Sequence, residues 1–513
     1  MRTNSDKVVI VGGGIAGMIA ACYLARDGKK TVVLEQNHQP GGNMSGFRRG
    51  GYYFDGGDQS FESLGIVFPI LKDLGVYDQL EWTKVRYRFR SDDFDFFLDS
   101  FDSVETALCE AFPDETGISA LFRDVREVSA FLRKHCDAHS FPLLNDFSVG
   151  KLFALMPDLP KLRKWVTYSY REKVCAHIKD PVLRNWFSGI GYRRMPYLFF
   201  AGFWDIWIRD YWHPVGGMQK LHDVLAENFR SMGGELRCKC KVKRIESRNG
   251  KATGVTLDSG EFVPADQVVY AGDYKAFVSG MLDDGIFPAR RTVRLQNAKL
   301  TESLVAAYLG VNIPSAELKA KLDANHVFWF PNYDVTFPDA ASDIDIHRRM
   351  WVTANFFMDE NPSFAPEGKS TLVLQTYSSA DWQDSWKNGS IDGKRTNEYR
   401  ALKDKVGRDL VTLAENFIPG LSSKIDYLEV GSPLSSHRFS LNDGGSSGGW
   451  SYDDKSSQVW KAPFKNLMRT PLSNLYAAGH YALWPGGVIS AALSGRLVAN
   501  MAAGRPVLSG LGK

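Results

Sequence analysis

Residues 8–17 read VVIVGGGIAG, and residues 31–35 read TVVLE. The β-branched runs in these two stretches predict two strands that are buried on both faces. Between them, apolar residues recur at helical spacing from Ile15 to Ala25, and Gly28 stands just past the expected helix end. Three consecutive glycines join the first strand to the helix. The stretch therefore predicts a β–α–β unit with a glycine-rich first turn.

Each glycine of this motif, and the acid that follows it, has a physical role in holding a dinucleotide. Gly12 permits the tight turn, and Gly14 lets a pyrophosphate approach the backbone. Gly17 lets the helix pack closely on the strand, while the helix N-terminus offers N–H groups to the phosphates. Glu35 ends the second strand, where an acid bonds the ribose hydroxyls of an adenosine. We therefore predict a dinucleotide site; the alternative is a glycine-rich turn that binds nothing.

The composition is that of an ordinary globular chain. Its 513 residues predict two to four domains, or two domains threaded through each other. A net charge of +3 is too mild to indicate a nucleic-acid partner. The six cysteines are sparse and favour a reduced, cytoplasmic chain over a disulfide framework. Cys238 and Cys240 are expected on one face of a strand, and without a second pair nearby we predict no metal site.

Two features bear on the membrane. The opening residues MRTNSDK run directly into the first predicted strand, so we expect no signal peptide in this stretch. No run of 18 or more uncharged apolar residues occurs, so we expect no membrane-spanning helix. The expected location is cytoplasmic, with peripheral contact to a membrane as an open interpretation.

Two later segments also predict strands and helices joined by glycine-containing turns. Residues 211–272 predict a helix, hairpin turns at Asn249-Gly250 and Ser259-Gly260, and a further strand at VVYAG. Residues 474–504 predict a short strand, a break at Gly479-His480, a glycine loop, and a helix of small residues beginning at Val488. The glycine cluster GGSSGG at 444–449 follows no strand and opens no helix, so it is expected to be a loop.

The stretch after Glu35 favours FAD over NAD. Gly41-Gly42 follow Pro40, and the sequence FDGG occupies 54–57, where an NAD domain usually continues with another β–α unit. This pattern resembles the glutathione-reductase-type FAD fold. Together with WHPVGGM at 212–218 and PGGV at 485–488, it resembles the phytoene desaturase, carotenoid isomerase and retinol saturase family of flavoproteins. The resemblance extends over residues 1–65, 211–272 and 431–500.

This resemblance implies an α/β fold with a Rossmann-like FAD-binding domain assembled from residues 1–65, 211–285 and 465–513. Residues 66–210 and 286–464 would form an interleaved α+β substrate domain. The start of the last helix would stabilise negative charge on a reduced flavin. The motif and the resemblance assign these residues to FAD: Gly12, Gly14, Ile15, Ala16, Gly17, Glu35, Gly41, Gly42, Asn43, Ser45, Asp55, Gly56, Gly57, Val242, Gly272, Gly479, His480, Gly487 and Val488.

The implied reaction is hydride transfer between flavin N5 and a C–C bond of a hydrophobic, polyene-type substrate, in desaturation, saturation or isomerisation. Only one nucleotide fingerprint occurs, so the expected electron acceptor is oxygen or a quinone. Two alternatives stay open. One is an amine oxidase-like flavoprotein that oxidises a small amine and releases hydrogen peroxide. The other is a non-catalytic protein that escorts a flavin or a lipid.

Three histidines are candidates for proton transfer. His480 is the predicted catalytic residue because its motif places it at the flavin, where the family often has an acidic or small residue. The glycine loop beside it is also shortened, to Pro485-Gly486-Gly487. His213 and His437 are weaker candidates, and each histidine has a structural role as its alternative.

Two stretches are expected to cover the flavin. Residues 84–100 alternate and predict a hairpin, whose arginines at 86, 88 and 90 form either a solvated face or an anchor for an acidic substrate. Residues 197–212 read YLFFAGFWDIWIRDYW and predict a helix with Phe199, Phe203 and Ile206 on one stripe. That stripe is open to three interpretations: core packing, the wall of an apolar tunnel, or contact with a bilayer.

Overall fold

A computed structural model describes residues 6–136, 153–192, 195–331, 342–389, 395–452 and 467–507. The strands are β1 Lys7–Val11, β2 Lys30–Leu34, β3 Gly46–Arg49, β4 Tyr52–Asp55, β5 Phe61–Glu62, β6 Trp82–Lys84, β7 Tyr87–Arg90, β8 Asp95–Phe97, β9 Tyr211–Pro214, β10 Glu235–Arg237, β11 Val242–Arg248, β12 Lys251–Leu257, β13 Phe262–Pro264, β14 Gln267–Tyr270, β15 Ser303–Val311, β16 His326–Trp329, β17 Val352–Asn355, β18 Ser370–Ser378, β19 Ile425–Gly431 and β20 Leu475–Ala477. The main helices are α1 Ile15–Arg26, α2 Val67–Asp73, α3 Phe101–Ala111, α4 Ile118–Cys136, α5 Leu159–Thr167, α6 Tyr170–His177, α7 Pro181–Gly189, α8 Tyr197–Arg209, α9 Met218–Ser231, α10 Tyr274–Gly280, α11 Ala289–Gln296, α12 Ser315–Leu322, α13 Asn397–Ala414, α14 Pro433–Ser440 and α15 Val488–Ala502.

A parallel five-stranded sheet unites the three predicted segments. Its order is β10-β2-β1-β14-β20, and each neighbouring pair is parallel. β1 and β2 come from the start of the chain, β10 and β14 from the middle, and β20 from the end. The sequence prediction of a Rossmann-like α/β fold built from three segments is therefore confirmed.

Helices cover one face of this sheet, and a small antiparallel sheet lies on the other. α1, α9 and α15 share an apolar core with residues of β1, β2 and β14. The antiparallel sheet β11-β12-β13 packs on the opposite face together with α10. The strands of a parallel sheet need cover on both faces, and these two layers provide it.

A large mixed sheet, which we call the second sheet, carries the largest core. Its order is β19-β15-β18-β17-β16-β7-β8, in which β16 and β7 pair in parallel and the other neighbours pair in antiparallel fashion. Helices α3–α8, α12 and α13 contribute to the core beside this sheet. A small further sheet, β5-β9-β6, links the stretch after the first segment to the start of the second.

The domain boundaries drawn from the sequence differ from the packing. Residues 66–80, assigned above to the substrate domain, have buried side chains in the same core as α1 and α15. Likewise, Phe287, Leu295 and Ala298 belong to the core that includes β14 and the antiparallel sheet. The apolar face of a short helix such as α2 fits either core, and the sequence does not show which one lies next to it.

The predicted hairpin at 84–100 forms as β7 and β8, and its arginines make ion pairs on the outer face. Arg86 pairs with Asp99, and Arg88 and Arg90 both approach Asp95. Arg86 and Arg88 also lie over the ring of Phe97. None of the three lines either of the cavities that are described below. This arrangement supports the solvated face over the anchor for an acidic substrate.

The expected strand position of Cys238 and Cys240 is wrong. β10 ends at Arg237, and Lys239 between the two cysteines has φ +57°, a left-handed conformation that breaks a strand. The polypeptide turns here, and the N–H of Cys240 donates to the carbonyl of Glu35. Within the described ranges, no group of three His, Cys, Asp or Glu side chains could hold a metal ion. No helix in the same ranges is both long and apolar enough to cross a membrane.

Candidate functional site

A cavity of about 750 Å³ opens at the carboxyl ends of β1, β2 and β14. This edge of a parallel sheet is where ligands bind in open α/β folds. Of the residues predicted to contact FAD, fourteen line the cavity: Gly12, Gly14, Ile15, Ala16, Glu35, Gly41, Gly42, Asn43, Val242, Gly272, Gly479, His480, Gly487 and Val488. We call this space the nucleotide cavity.

The glycines of the first turn create the space. Gly12 has φ +102°, and its N–H donates to the carbonyl of Leu34 at 2.9 Å, which holds the start of the β1–α1 turn beside the end of β2. A Cβ on Gly17 would lie 2.0 Å from the carbonyl oxygen of Gly12, so only glycine permits this helix–turn contact. Gly14 begins α1 without a side-chain cap, and the nearest atom to its Cβ position is 4.0 Å away. The N-terminal N–H groups of α1 therefore face the cavity uncovered.

Glu35 is fixed in place before any ligand arrives. Its Oε2 accepts from the N–H of Gly13 at 2.7 Å, and its Oε1 accepts from the N–H of Asn37 at 2.8 Å. The side chain is buried, yet it lines the nucleotide cavity. A carboxylate has about four lone-pair sites, so it can still accept hydrogen bonds from ribose hydroxyls.

A second helix N-terminus faces the same space. Gly487 caps α15 without a side-chain hydrogen bond, and Gly487 and Val488 line the nucleotide cavity. Two uncapped helix starts, a glycine cradle and a preorganised carboxylate match the charge distribution of a dinucleotide, which is anionic at its centre and hydroxylated at the ribose. The residues present therefore fit FAD.

Five predicted contacts lie elsewhere. Gly17 packs behind the turn, and Ser45 does not line the cavity. Asp55 is buried and accepts from the hydroxyl of Tyr53 at 2.8 Å and from the N–H of Met218 at 2.8 Å, a structural role. A Cβ on Gly56 or Gly57 would lie 2.9 Å or 2.4 Å from a backbone oxygen of the 43–45 turn, so these glycines serve packing. Gly57 also lines the second cavity.

The second cavity measures about 640 Å³ and is largely apolar, and we call it the apolar cavity. One wall is α8, through Leu198, Phe199, Phe203 and Ile206. The predicted stripe of this helix therefore faces a cavity, which supports the tunnel interpretation over plain core packing. Further aromatic walls come from Tyr192, Tyr211, Phe328, Trp351, Tyr377, Tyr452 and Trp484.

The two cavities meet along a short boundary. Four residues line both of them, namely Asp58, Ser447, Gly487 and Val488. We call this boundary the seam. Ser447 belongs to the GGSSGG stretch, which forms the predicted loop after a short 3₁₀ turn at Asp443–Gly445. The N–H of Gly486 donates to the carbonyl of Gly448 at 3.1 Å and ties this loop to the start of α15.

Two carboxyl groups stand at or near the seam in low-dielectric surroundings. Burial raises the pKa of Asp58 to about 7. Burial also raises the pKa of Glu62 to about 7, with a smaller contribution from the charge of Asp58. The Oε1 of Glu62 lies 3.8 Å from the Cβ position of Gly487. Both groups can therefore exchange a proton near neutral pH.

His480 lines the nucleotide cavity and is absent from the walls of the apolar cavity. Burial lowers its pKa to about 4, so the imidazole is neutral at physiological pH. Its Nε2 has no hydrogen-bond partner within the described part of the chain. This placement favours contact with the cofactor over contact with the substrate.

The other two histidines differ from each other. His213 is fully buried, and its Nε2 lies 2.9 Å from Oδ2 of Asp55 while its ring stacks on Phe357 at 3.9 Å. Its role is structural. His437, on α14, lines the nucleotide cavity.

Comparison with known proteins decides the family. A family model described as "Flavin containing amine oxidoreductase" matches residues 15–502. The chain belongs to this family. A chloroplastic prolycopene isomerase from Daucus carota is 24% identical, over 98% of this chain and 80% of the relative. A hydroxyneurosporene desaturase from Rubrivivax gelatinosus is 27% identical, over 98% of this chain and 93% of the relative. Putrescine oxidase bound to putrescine has the same fold, with a TM-score of 0.64 at 14% identity over 98% of this chain and 99% of that structure.

These findings confirm the predicted cofactor and enzyme class. This flavin-containing oxidoreductase is an FAD-dependent enzyme, and its similarity to carotenoid desaturases and isomerases confirms the resemblance stated from the sequence. The nucleotide cavity is the space that fits the cofactor. Sequence reasoning did not identify Asp58, Glu62 or Ser447 at the seam. In the sequence these three residues stand near glycine stretches, but nothing there indicates that they meet at the boundary between two cavities.

Proposed function

We propose that this FAD-dependent oxidoreductase acts on a C–C bond of a hydrophobic substrate that lies in the apolar cavity with its reacting carbons at the seam. The observation that carries the proposal is the contact between the two cavities at Asp58, Ser447, Gly487 and Val488. An apolar space of about 640 Å³ falls within the range typical of small-molecule sites. The carotenoid isomerase and desaturase named above support the substrate class.

The protein's own residues would hold the cofactor, orient the substrate and exclude water. The glycine turn and the start of α1 would hold the phosphates, and Glu35 would hold the ribose. When bound, FAD supplies an acceptor or donor of hydride. The N-terminus of α15 at the seam would offer partial positive charge to a bound flavin. The aromatic walls exclude water, which strengthens the electrostatic interactions inside.

Asp58 and Glu62 supply the proton chemistry in this proposal. Removing hydride from one carbon leaves a proton to be taken from the neighbouring carbon, and isomerisation by an acid–base route would add a proton and then remove one, with no net change. Carboxyl groups with pKa values of about 7 hold a proton at Oδ or Oε in part of the molecules and accept one in the rest. His480, on the far side of the seam, would instead influence the cofactor.

The amine alternative is the second candidate, because it belongs to the same family and has the same fold. The mainly apolar lining of the substrate cavity favours the hydrophobic substrate. The test is anaerobic mixing of the FAD-loaded protein with carotenoid polyenes on one hand and with putrescine on the other. A shift of polyene absorbance, with or without flavin bleaching, supports the proposal. Flavin bleaching by the amine alone, with hydrogen peroxide released in air, would replace it with the alternative.

We also propose oxygen or a quinone as the electron acceptor of any net redox cycle. The sequence contains one dinucleotide fingerprint, at Gly12–Gly17, and the nucleotide cavity accounts for it. Stopped-flow reoxidation of the reduced flavin by air-saturated buffer, by a soluble ubiquinone analogue and by NADP⁺ compares the acceptors directly. Fast reoxidation by NADP⁺ alone would contradict this assignment.

A surface at the mouth of the apolar cavity is suited to a membrane. Leu155 and Leu162 line the cavity, and the segment that carries them exposes large apolar side chains. These are Phe153, Met156, Leu159 and Tyr168. Arg163 and Lys164 are exposed on the same segment and would face anionic headgroups.

We propose that this surface contacts an anionic bilayer, from which a hydrophobic substrate could enter. Cosedimentation with vesicles that contain anionic lipid is expected for the native protein and is expected to fall in a Met156→Ser, Leu159→Ser double variant. Val293→Ser, at an exposed apolar side chain outside this surface, is the matched control. Equal sedimentation of all three proteins would refute membrane contact through this surface.

A further inference from the structure

A chain of hydrogen-bonded polar side chains runs along one wall of the apolar cavity. Ser60 Oγ lies 2.8 Å from Nε2 of His326, and the Nδ1 of the same ring contacts Oδ1 of Asn355. The amide nitrogen of Asn355 lies 3.2 Å from Oε1 of Gln375. All four residues line the cavity, as does Tyr87. We call these five residues the polar wall.

The sheet register brings the polar wall together. Tyr87 of β7 is the direct neighbour of His326 of β16, and His326 is the direct neighbour of Asn355 of β17. Gln375 stands on the next strand, β18, opposite Thr353. Side chains at such paired positions stand on one face of the sheet, within contact of each other. The wall is therefore fixed by the second sheet, and Ser60 joins it from the stretch before β5.

The donor and the acceptor can be assigned for each hydrogen bond of the polar wall. The amide nitrogen of Asn355 donates to the carbonyl of Val373 at 2.9 Å, which identifies Oδ1 as the acceptor. His326 must therefore carry its hydrogen on Nδ1. Burial lowers the pKa of His326 to about 3, so the ring is neutral and its Nε2 carries no hydrogen. Nε2 accordingly accepts from the hydroxyl of Ser60.

The same assignment extends to Ser60 and Tyr87, at the end of the polar wall. The hydroxyl of Tyr87 lies close to that of Ser60 and interacts with it. Because the single hydroxyl hydrogen of Ser60 goes to His326, the oxygen of Ser60 has only lone pairs left for a ligand in the cavity. It can accept a hydrogen bond, and it cannot donate one. The hydroxyl oxygen of Tyr87 adds a second acceptor beside it.

Gln375 complements these acceptors with a donor. Its Oε1 accepts from Asn355, and its Nε2 donates to the carbonyl of Gly57 at 3.1 Å. A primary amide nitrogen has two hydrogens, so a second N–H is left. A hydroxyl group both donates and accepts, and it can use both functions of this wall. A hydrocarbon would displace water from the wall and replace none of its hydrogen bonds.

We propose that the polar wall binds a hydroxyl group of the substrate, so that the apolar cavity selects an apolar alcohol over a molecule of the same skeleton without a hydrogen-bond donor. The inference deepens the proposed function and rests on it for the placement of substrate in this cavity. Neutral acceptors suit a neutral hydroxyl better than an ammonium group, which needs a charged partner once it leaves water.

The test compares two ligands that differ only in the donor. All-trans-retinol and its methyl ether share a polyene skeleton and an oxygen, and only retinol has an O–H. Binding of each to the FAD-loaded protein is measured without turnover, through quenching of tryptophan fluorescence under anaerobic conditions. We expect retinol to bind at least about tenfold more tightly than the ether, since a buried acceptor left unpaired is costly.

The variants assign the preference to the wall. Ser60→Ala and Tyr87→Phe each remove one acceptor, and each is expected to reduce the tenfold ratio towards one. Ser63→Ala is the matched control, because this serine is buried close by in sequence but does not line the cavity. FAD content, measured on each variant, identifies any that fails to fold, and the two wall variants test the inference independently.

Each outcome decides a different question. Equal affinity for retinol and the ether in the native protein overturns the hydroxyl inference and leaves the proposed function standing. A preference that persists in both Ser60→Ala and Tyr87→Phe also overturns it. If the FAD-loaded protein binds neither ligand, the cavity takes no such molecule and the proposed function fails as well. If retinylamine binds more tightly than retinol, the hydroxyl inference is overturned in favour of the amine alternative.

Discussion

Replacing Glu62 with glutamine is expected to stabilise the protein above neutral pH. Burial raises the pKa of this carboxyl from 4.5 to about 7. The folded state therefore keeps the proton between these values while the unfolded chain releases it, so the folding free energy is penalised as pH rises. At about 1.4 kcal/mol per pKa unit, the full penalty is roughly 3 kcal/mol above pH 7 and vanishes below pH 4.5. Glu62→Gln removes the ionisable group and with it the penalty.

The assay is chemical denaturation of the FAD-loaded proteins at pH 8.5 and at pH 4.5, followed by flavin fluorescence. The variant is expected to unfold at higher urea concentration than the native protein at pH 8.5 and at nearly the same concentration at pH 4.5. Glu110→Gln, at an exposed position on α3, makes the same change in charge and serves as control. A Glu62→Gln protein that is less stable than the native protein at pH 8.5, or equally stabilised at both pH values, would refute the buried-carboxyl argument.

Three further substitutions test the two cavities. Gly14→Val places a branched side chain where the phosphates are expected, and we expect a purified protein without yellow colour; a normal FAD content would count against the nucleotide cavity. Gly202→Phe, on the α8 wall, projects a ring towards the apolar cavity, so it should keep FAD yet lose polyene binding by at least about tenfold, measured by fluorescence titration. His480→Ala should keep FAD and change its reduction potential, and an identical potential in spectroelectrochemical titration would remove His480 from the flavin environment.

The nucleotide half of the site was predictable because its determinants are local. A tight turn needs glycine at Gly12, close helix contact needs glycine at Gly17, and an acid follows the second strand at Glu35, all within 24 residues. The stripe on α8 was equally readable, because helical spacing alone places Phe199 and Phe203 on one side. Such features depend only on residues that are close in sequence, and both the turn and the stripe are present in the structure.

The substrate half depends on contacts between distant residues, and this is why sequence reasoning missed it. Ser60, Tyr87, His326 and Asn355 meet only because β7, β16 and β17 are adjacent in the second sheet. Their polar side chains look unremarkable within their own strands. Asp55 shows the opposite error: a motif position that suggested a cofactor contact instead anchors the start of α9 through its bond with the N–H of Met218.

The packing of α1 against α15 has a consequence for biosynthesis. The two helices come from opposite ends of the chain, and a Cβ on Gly495 would lie 2.3 Å from the carbonyl oxygen of Ala16, so they fit without space to spare. While the ribosome is still making the middle of the protein, the small-residue face of α1 lacks its packing partner α15, and β14 lacks its outer neighbour β20. Nascent molecules must therefore wait until α15 has been synthesised before the coenzyme site is complete, and a truncation before Val488 leaves the apolar face of α1 and the outer edge of β14 exposed to chaperones or proteases.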